Sequence, residues 1–327
     1  MKITKRILLL LSATLLLVII INYPKLNIIS GYAAKNTSSS IFVANRTAAF
    51  TDATDNNFSP INLASTAVSL ENNSASASTL GLLTRKAVYR NGLGSVLITK
   101  GYDASKKELI PKRFIRNTSL AYPFGNKPQK DTLFNTINYE KLDSAVSSIF
   151  ENSYQTRAVL VLYKNQLIAE RYAKGFTKDS RILGWSMTKS ILSTVFGIMQ
   201  YQGKLSVQER APILEWGNDD RKEITLHNLL QMNSGLAWDE NYDKISDVTK
   251  MLFLEDDMTK MQQKQQLVDS PNSSWNYSSG TSNLLSGILR QKLGNQQEYL
   301  DYWYRELIDK IGMNSMIIET DVKGHYV

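Results

Sequence analysis

The residues best placed to do chemistry are Ser186 and Lys189, in Trp185-Ser186-Met187-Thr188-Lys189-Ser190 at the head of an apolar run to about Gln200. Three residues apart on a helix, they lie on one face about a turn apart, so the Lys189 ammonium can approach the Ser186 hydroxyl. A serine hydroxyl is a poor nucleophile at neutral pH. A lysine that is desolvated or set near another cation loses enough proton affinity to act as its base. The helix N-terminus adds free N–H groups and a positive dipole end, which favour a neutral lysine and suit an oxyanion on an attacked carbonyl. Acyl transfer through a serine ester is the chemistry such a pair supports.

By itself Ser-x-x-Lys is a common spacing, and its plain reading is an N-cap serine followed by a solvated lysine. The neighbours argue otherwise. Ile191, Leu192, Val195, Phe196, Ile198 and Met199 make the following helix apolar on most of its surface, which predicts a buried central helix. A lysine at the head of a buried helix calls for a reason. A second stretch, Trp275-Asn276-Tyr277-Ser278-Ser279-Gly280, precedes a predicted apolar helix from Asn283 to Leu293. A loop tyrosine such as Tyr277 can place its phenol at a cleft and relay a proton if a neighbouring cation lowers its pKa, although a buried tyrosine with one hydrogen bond is the commoner case. Between the two stretches, Trp238, Asp239, Glu240 and Tyr242 form an aromatic and acidic cluster that suits a cleft lining or an ordinary helix connector equally.

Composition bounds the alternatives. With 327 residues the chain can hold one large domain or two closely packed ones, and 43% hydrophobic against 21% charged residues describes a folding chain. The absence of cysteine removes disulfides, thiol nucleophiles and thiolate metal sites together. Only His227 and His325 are present, so a multi-histidine metal centre is excluded and a Ser-His-Asp triad is disfavoured; there is also no Gly-x-Ser-x-Gly elbow. Both histidines read as structural. The paired acids Asp219-Asp220 and Asp256-Asp257 read as helix caps, and neither metal nor cofactor is expected. The formal charge of +8 is spread without a basic run beyond the N-terminus, which suits an anionic envelope more than nucleic acid.

The elements that must position these residues follow in order. Lys2, Lys5 and Arg6 precede an apolar run over 7–21, an export signal whose basic flank stays inside. Residues 1–34 are therefore read as a signal peptide or membrane anchor, Ala33-Ala34 offering a mediocre cleavage site and 23–29 a possible extension of the span. Residues 35–79, rich in Ser, Asn, Thr and Ala, read as a polar, loosely ordered lead-in. A short helix is predicted over 80–88, a strand over 95–99 and a turn at Tyr122-Pro123-Phe124-Gly125. An amphipathic helix follows from Tyr139 to Asn152, then a hairpin of Ala158–Tyr163 and Leu167–Tyr172. Residues 204–275 read as mainly helical, with Thr225 capping a helix through Leu230.

Several ordered blocks together resemble a known family. They are Arg157-Ala158-Val159-Leu160-Val161-Leu162-Tyr163, Ala169-Glu170-Arg171-Tyr172-Ala173-Lys174-Gly175-Phe176, the Ser186 block, Leu229-Leu230-Gln231-Met232-Asn233-Ser234-Gly235-Leu236, Trp238 to Tyr242, Trp275 to Gly280, Leu284-Leu285-Ser286-Gly287 and Gly312-Met313-Asn314-Ser315. The chain resembles serine hydrolases related to class C β-lactamases and DD-peptidases, most closely the 6-aminohexanoate-dimer hydrolase and esterase-like branch, over about 157–327. The resemblance implies an α/β (α+β) fold, an antiparallel sheet flanked by helices with an inserted all-helical part, in a hydrolase domain over 80–327. It implies Ser186 as nucleophile with its backbone N–H in the oxyanion hole, Lys189 as base, Tyr277 as proton relay, and Tyr242 and Ser279 at the substrate.

Two departures from the family matter. Its second motif is usually Tyr-x-Asn, and Ser279 replaces the amide with a shorter hydroxyl, which argues against efficient β-lactam hydrolysis. Its third motif, Lys-Thr-Gly or His-x-Gly, and the closing strands would lie beyond Val327, so a truncated hydrolase domain is expected. The expectation is thus an exported, periplasmic or envelope serine hydrolase, tethered by its N-terminal helix, acting on a small amide or ester, peptide-like ones included. A non-catalytic envelope protein that binds peptide or glycan in the same cleft is the rival reading.

Overall fold

The computed structural model describes residues 2–115, 119–125, 127–129, 133–151 and 154–327. Side chains of 1–6, 8, 9 and 15 lie outside the described set, and with them the basic flank of the N-terminal segment; so does Asn152, the expected end of one helix. Two compact units are present. One comprises Met1–Pro111, Gly184–Tyr299 and Ile317–Val327, and the other Lys112–Leu183 and Leu300–Met316.

The first unit is built on helix α1 (Lys2–Ser38) and an antiparallel meander, β1 (Ala64–Ser69), β2 (Ser74–Thr79), β3 (Leu83–Arg90) and β4 (Gly94–Leu97). Helix α1 is longer than the apolar run predicts and has two characters. Ile7, Leu10, Leu11 and Leu16 to Ile21 are exposed, whereas Ile29, Ala33 and Ala34 are buried with Ala77, Ala87, Leu97 and Phe253. Small side chains on both surfaces let helix and sheet approach closely.

The polar segment expected as a lead-in over 35–79 is instead the end of α1, the helix α2 (Ala48–Ala53), β1 and β2. Several of the buried hydroxyls and amides of α1 pair with the segments packed against it. Ser30 Oγ lies 2.6 Å from Thr79 Oγ1, Ser38 Oγ 2.7 Å from Ser95 Oγ, and Asn36 Nδ2 donates to Asn56 Oδ1 at 2.9 Å. Paired in this way, polar groups can be buried at little cost. Residues 83–90, which overlap the helix expected over 80–88, form β3. Leu80 and Gly81 take positive φ in the turn from β2, and pairing to β2 and β4 overrides local helix preference.

After Gly184 the first unit is helical: α4 (Thr188–Tyr201), α5 (Leu226–Leu230), α6 (Asp247–Leu254), α7 (Lys260–Gln263) and α8 (Ser279–Lys292), with α9 (Gln296–Trp303) beyond. Thr225 caps α5 as expected, in a capping box with Asn228. Helix α4 is less buried than its composition predicts. Leu192, Val195, Phe196 and Met199 face the core, while Ser190, Ser193, Thr194, Gly197 and Gln200 make an exposed stripe on the opposite face.

The second unit carries α3 (Tyr139–Ile149) and the expected hairpin of β5 (Ala158–Tyr163) and β6 (Gln166–Tyr172). Arg171 Nη1 donates to Ser147 Oγ at 2.6 Å, tying β6 to α3. Asp309 is buried against the Arg113 guanidinium, which also stacks 4.6 Å over the Tyr304 ring. Antiparallel sheets with flanking helices agree with the expected fold class.

The α1 core predicts an asymmetry in mutational cost. Phe253→Ala should destabilise the full chain by about 3–5 kcal/mol, whereas Leu10→Ala, on the exposed half of α1, should stay within about 0.5 kcal/mol; chemical denaturation in detergent micelles measures both.

Candidate active site

Gly184 leads into a 3-10 turn, Trp185–Met187, that feeds α4 directly. Trp185 has φ +41°, a left-handed conformation that costs an aromatic residue of order 1–3 kcal/mol. A stack offsets it. The Trp185 ring lies 6.1 Å from that of Tyr32 on α1 at an interplanar angle of 10°, and Tyr32 in turn contacts Phe58 and Phe253. The strained turn presents Ser186 at the surface, with Lys189 half-buried one turn on.

Lys189 Nζ is where the two sequence stretches meet. It donates to Ser186 Oγ at 3.1 Å and to Ser279 Oγ at 3.1 Å, and sits 4.8 Å from the centroid of the Tyr277 ring. Helix α8, packed against α4, delivers the second group. Its N-cap is Ser278, whose Oγ accepts from Thr281 N at 2.9 Å, so Tyr277 stands just outside the helix and Ser279 is its first residue. Asn276 Nδ2 donates to the Trp238 carbonyl at 3.2 Å, fixing the approach of this loop.

Tyr242 does not touch Lys189 directly. It is half-exposed, and its hydroxyl donates to Glu240 Oε1 at 2.9 Å. Glu240 also accepts from Trp238 Nε1, from Ser279 N at 2.9 Å and from Ser279 Oγ. Thus Tyr242 and Ser279 share one carboxylate. Burial pushes the Tyr242 phenol up to about 12, with the Ser279 hydroxyl partly offsetting and the Glu240 charge adding to the rise. Glu240 is the residue whose part the sequence did not disclose. Its only signal there was an acid set between Trp238 and Tyr242.

Among the described residues one group has metal-capable geometry: ligand atoms of Asp257, Asp321 and His325 lie within 4.8 Å of one another. These acids are already engaged. Asp257 Oδ1 accepts from Thr259 N at 3.1 Å, and Asp321 accepts from Lys323 N and His325 N, each at 2.9 Å, and from Met258 N at 3.2 Å. The cluster staples the C-terminal segment to the turn before α7.

A sequence model of the Beta-lactamase family matches residues 143–325, a little over half of the chain's 327 residues. Comparison with curated proteins gave no match. Among solved structures, a Bacillus anthracis protein provisionally assigned as a 6-aminohexanoate-dimer hydrolase is similar at 17% identity and TM-score 0.44, covering 55% of this chain and 50% of that one. A Bacteroides dorei DSM 17855 protein provisionally assigned as a beta-lactamase is similar at 19% identity and TM-score 0.43, covering 53% and 51%. The chain thus spans about half the length of either.

The Tyr242 environment gives a direct check. In ultraviolet titration of the full chain, the tyrosinate signal removed by Tyr242→Phe should centre near pH 12, well above the usual value of about 10; a missing signal near 10 would contradict this geometry.

Proposed function

The chain belongs to the Beta-lactamase family, and on that premise we propose that it is a serine hydrolase cleaving a small amide or ester bond through an acyl-enzyme on Ser186. The observation that carries the reading is the convergence on Lys189 Nζ of two hydroxyls at 3.1 Å and one phenol ring at 4.8 Å. In its neutral form Lys189 takes the Ser186 proton as Oγ attacks the carbonyl carbon. The tetrahedral oxyanion is met by backbone N–H groups at the head of α4, Ser186's among them. Tyr277, whose ring lies under Lys189 Nζ, passes a proton to the leaving group, and water then releases the acyl group by the reverse relay. Tyr242 and Ser279 are the residues assigned to substrate contact, and their shared carboxylate Glu240 supports that reading.

We further propose that the protein is exported and stays tethered by α1 in the cell envelope. Helix α1 is long and apolar enough to cross a membrane by length and composition. Its buried half argues for retention. Cleavage after Ala33-Ala34 would strip Ile29, Ala33 and Ala34, all core residues, from the first unit.

Two measurements test these readings. A fluorophosphonate probe should add once to the full chain by intact mass and not to Ser186→Ala, while Lys189→Ala should slow labelling by about 10²–10⁴-fold; a folded wild-type chain without an adduct overturns the enzyme reading. Intact mass of the protein recovered from membranes should include residues 1–34, and a mature chain starting near Lys35 would overturn the retained tether.

A further inference from the structure

The hydrogen-bond inventory around Glu240 determines the direction of one proton, and from that a role follows. An ionised carboxylate only accepts, so the single hydrogen of Ser279 Oγ must point at Glu240 Oε1. What Ser279 has left to offer Lys189 is a lone pair. At 3.1 Å it therefore accepts from Lys189 Nζ, as does Ser186 Oγ. The order of donors runs from Lys189 to Ser279 to Glu240, and the carboxylate fixes it.

The carboxylate is itself held rigidly. Trp238 Nε1, Tyr242 Oη, Ser279 N and Ser279 Oγ all donate to it. Gly280 presses on the same loop: a Cβ there would come within 2.5 Å of the Trp238 ring. The groups facing Lys189 are Ser186 on its own helix and Tyr277 and Ser279 from the lead-in and first turn of α8. Glu240 is the carboxylate these contacts reach. Its neighbour Asp239 is occupied with Lys244 at 2.8 Å.

We propose that Glu240 is a positioning residue that orients the Ser279 hydroxyl as an acceptor toward Lys189 and so holds the Lys189 amine against Ser186. This rests on the reading of Ser186 and Lys189 as nucleophile and base. A carboxamide at position 240 can donate as well as accept, so Glu240→Gln removes the constraint that turns the Ser279 hydrogen away from Lys189.

The test is the rate of fluorophosphonate labelling of the full chain in detergent micelles. In that step the Ser186 Oγ–P bond forms, the P–F bond breaks, fluoride leaves and Lys189 takes the serine proton. In Glu240→Gln labelling should slow by about tenfold or more, and in Glu240→Asp, which restores an acceptor-only group, it should recover toward the wild-type rate. An unchanged rate in a Glu240→Gln chain with wild-type circular dichroism overturns the proposal while leaving Ser186 as nucleophile. If Glu240→Gln does not fold, Ser279→Ala decides, because it keeps the backbone N–H that caps α8 on Glu240. Labelling slowed by about tenfold or more supports the assignment, and an unchanged rate overturns it. No labelling of the wild-type chain at any pH withdraws the Ser186 reading and this one with it.

Discussion

The site depends on one anchoring: the first turn of α8 is fastened to the loop 238–242 by Glu240 and by the contact of Gly280 with Trp238. Without it, Tyr277 and Ser279 would have no fixed position, because the residues before Ser278 form no regular element. With it, α8 brings a phenol and a hydroxyl to a lysine 88 to 90 positions earlier in the chain. The cation is the meeting point, but the carboxylate behind it sets the geometry.

A strained turn supplies the other half. Trp185 holds positive φ immediately before Ser186, and the energy that conformation costs is offset by aromatic stacking on Tyr32. The exposed serine and the packed core of α1 are thus joined through two rings. Placing an exposed serine at the head of a helix, on a turn that local preference alone would not choose, requires this kind of tertiary support.

How much of this the sequence disclosed depended on whether the signal was local. The spacing of Ser186 and Lys189, the capping of α5 by Thr225 and the β5–β6 hairpin are short-range patterns, and each is present. Tyr277 and Ser279 were legible as a loop before an apolar helix, and their assignment to Lys189 came from the family resemblance. Strands β1 and β2 were not legible, because Ser, Thr and Ala carry little hydrophobic alternation and the buried end of β2, Thr79, is matched by a hydroxyl pair to Ser30 on α1, 49 positions away. The same long-range packing hid the second character of α1. The apolarity of α4 overstated its burial, since the polar stripe from Ser190 to Gln200 occupies a whole face. Glu240 was visible as an acid but not as a hub, a property that exists only once four donors from two segments converge.

A helix that is apolar and exposed to Ile21, then buried around Tyr32, also fixes a height. Eleven residues of α-helix separate those positions, about 16 Å at 1.5 Å per residue. Since Tyr32 carries Trp185 on its ring, a bilayer holding the exposed segment would hold Ser186 at a nearly constant stand-off from its surface. On the proposed membrane reading, such a helix would act as a ruler rather than a leash, so that reach above the bilayer, and not affinity alone, would select among substrates.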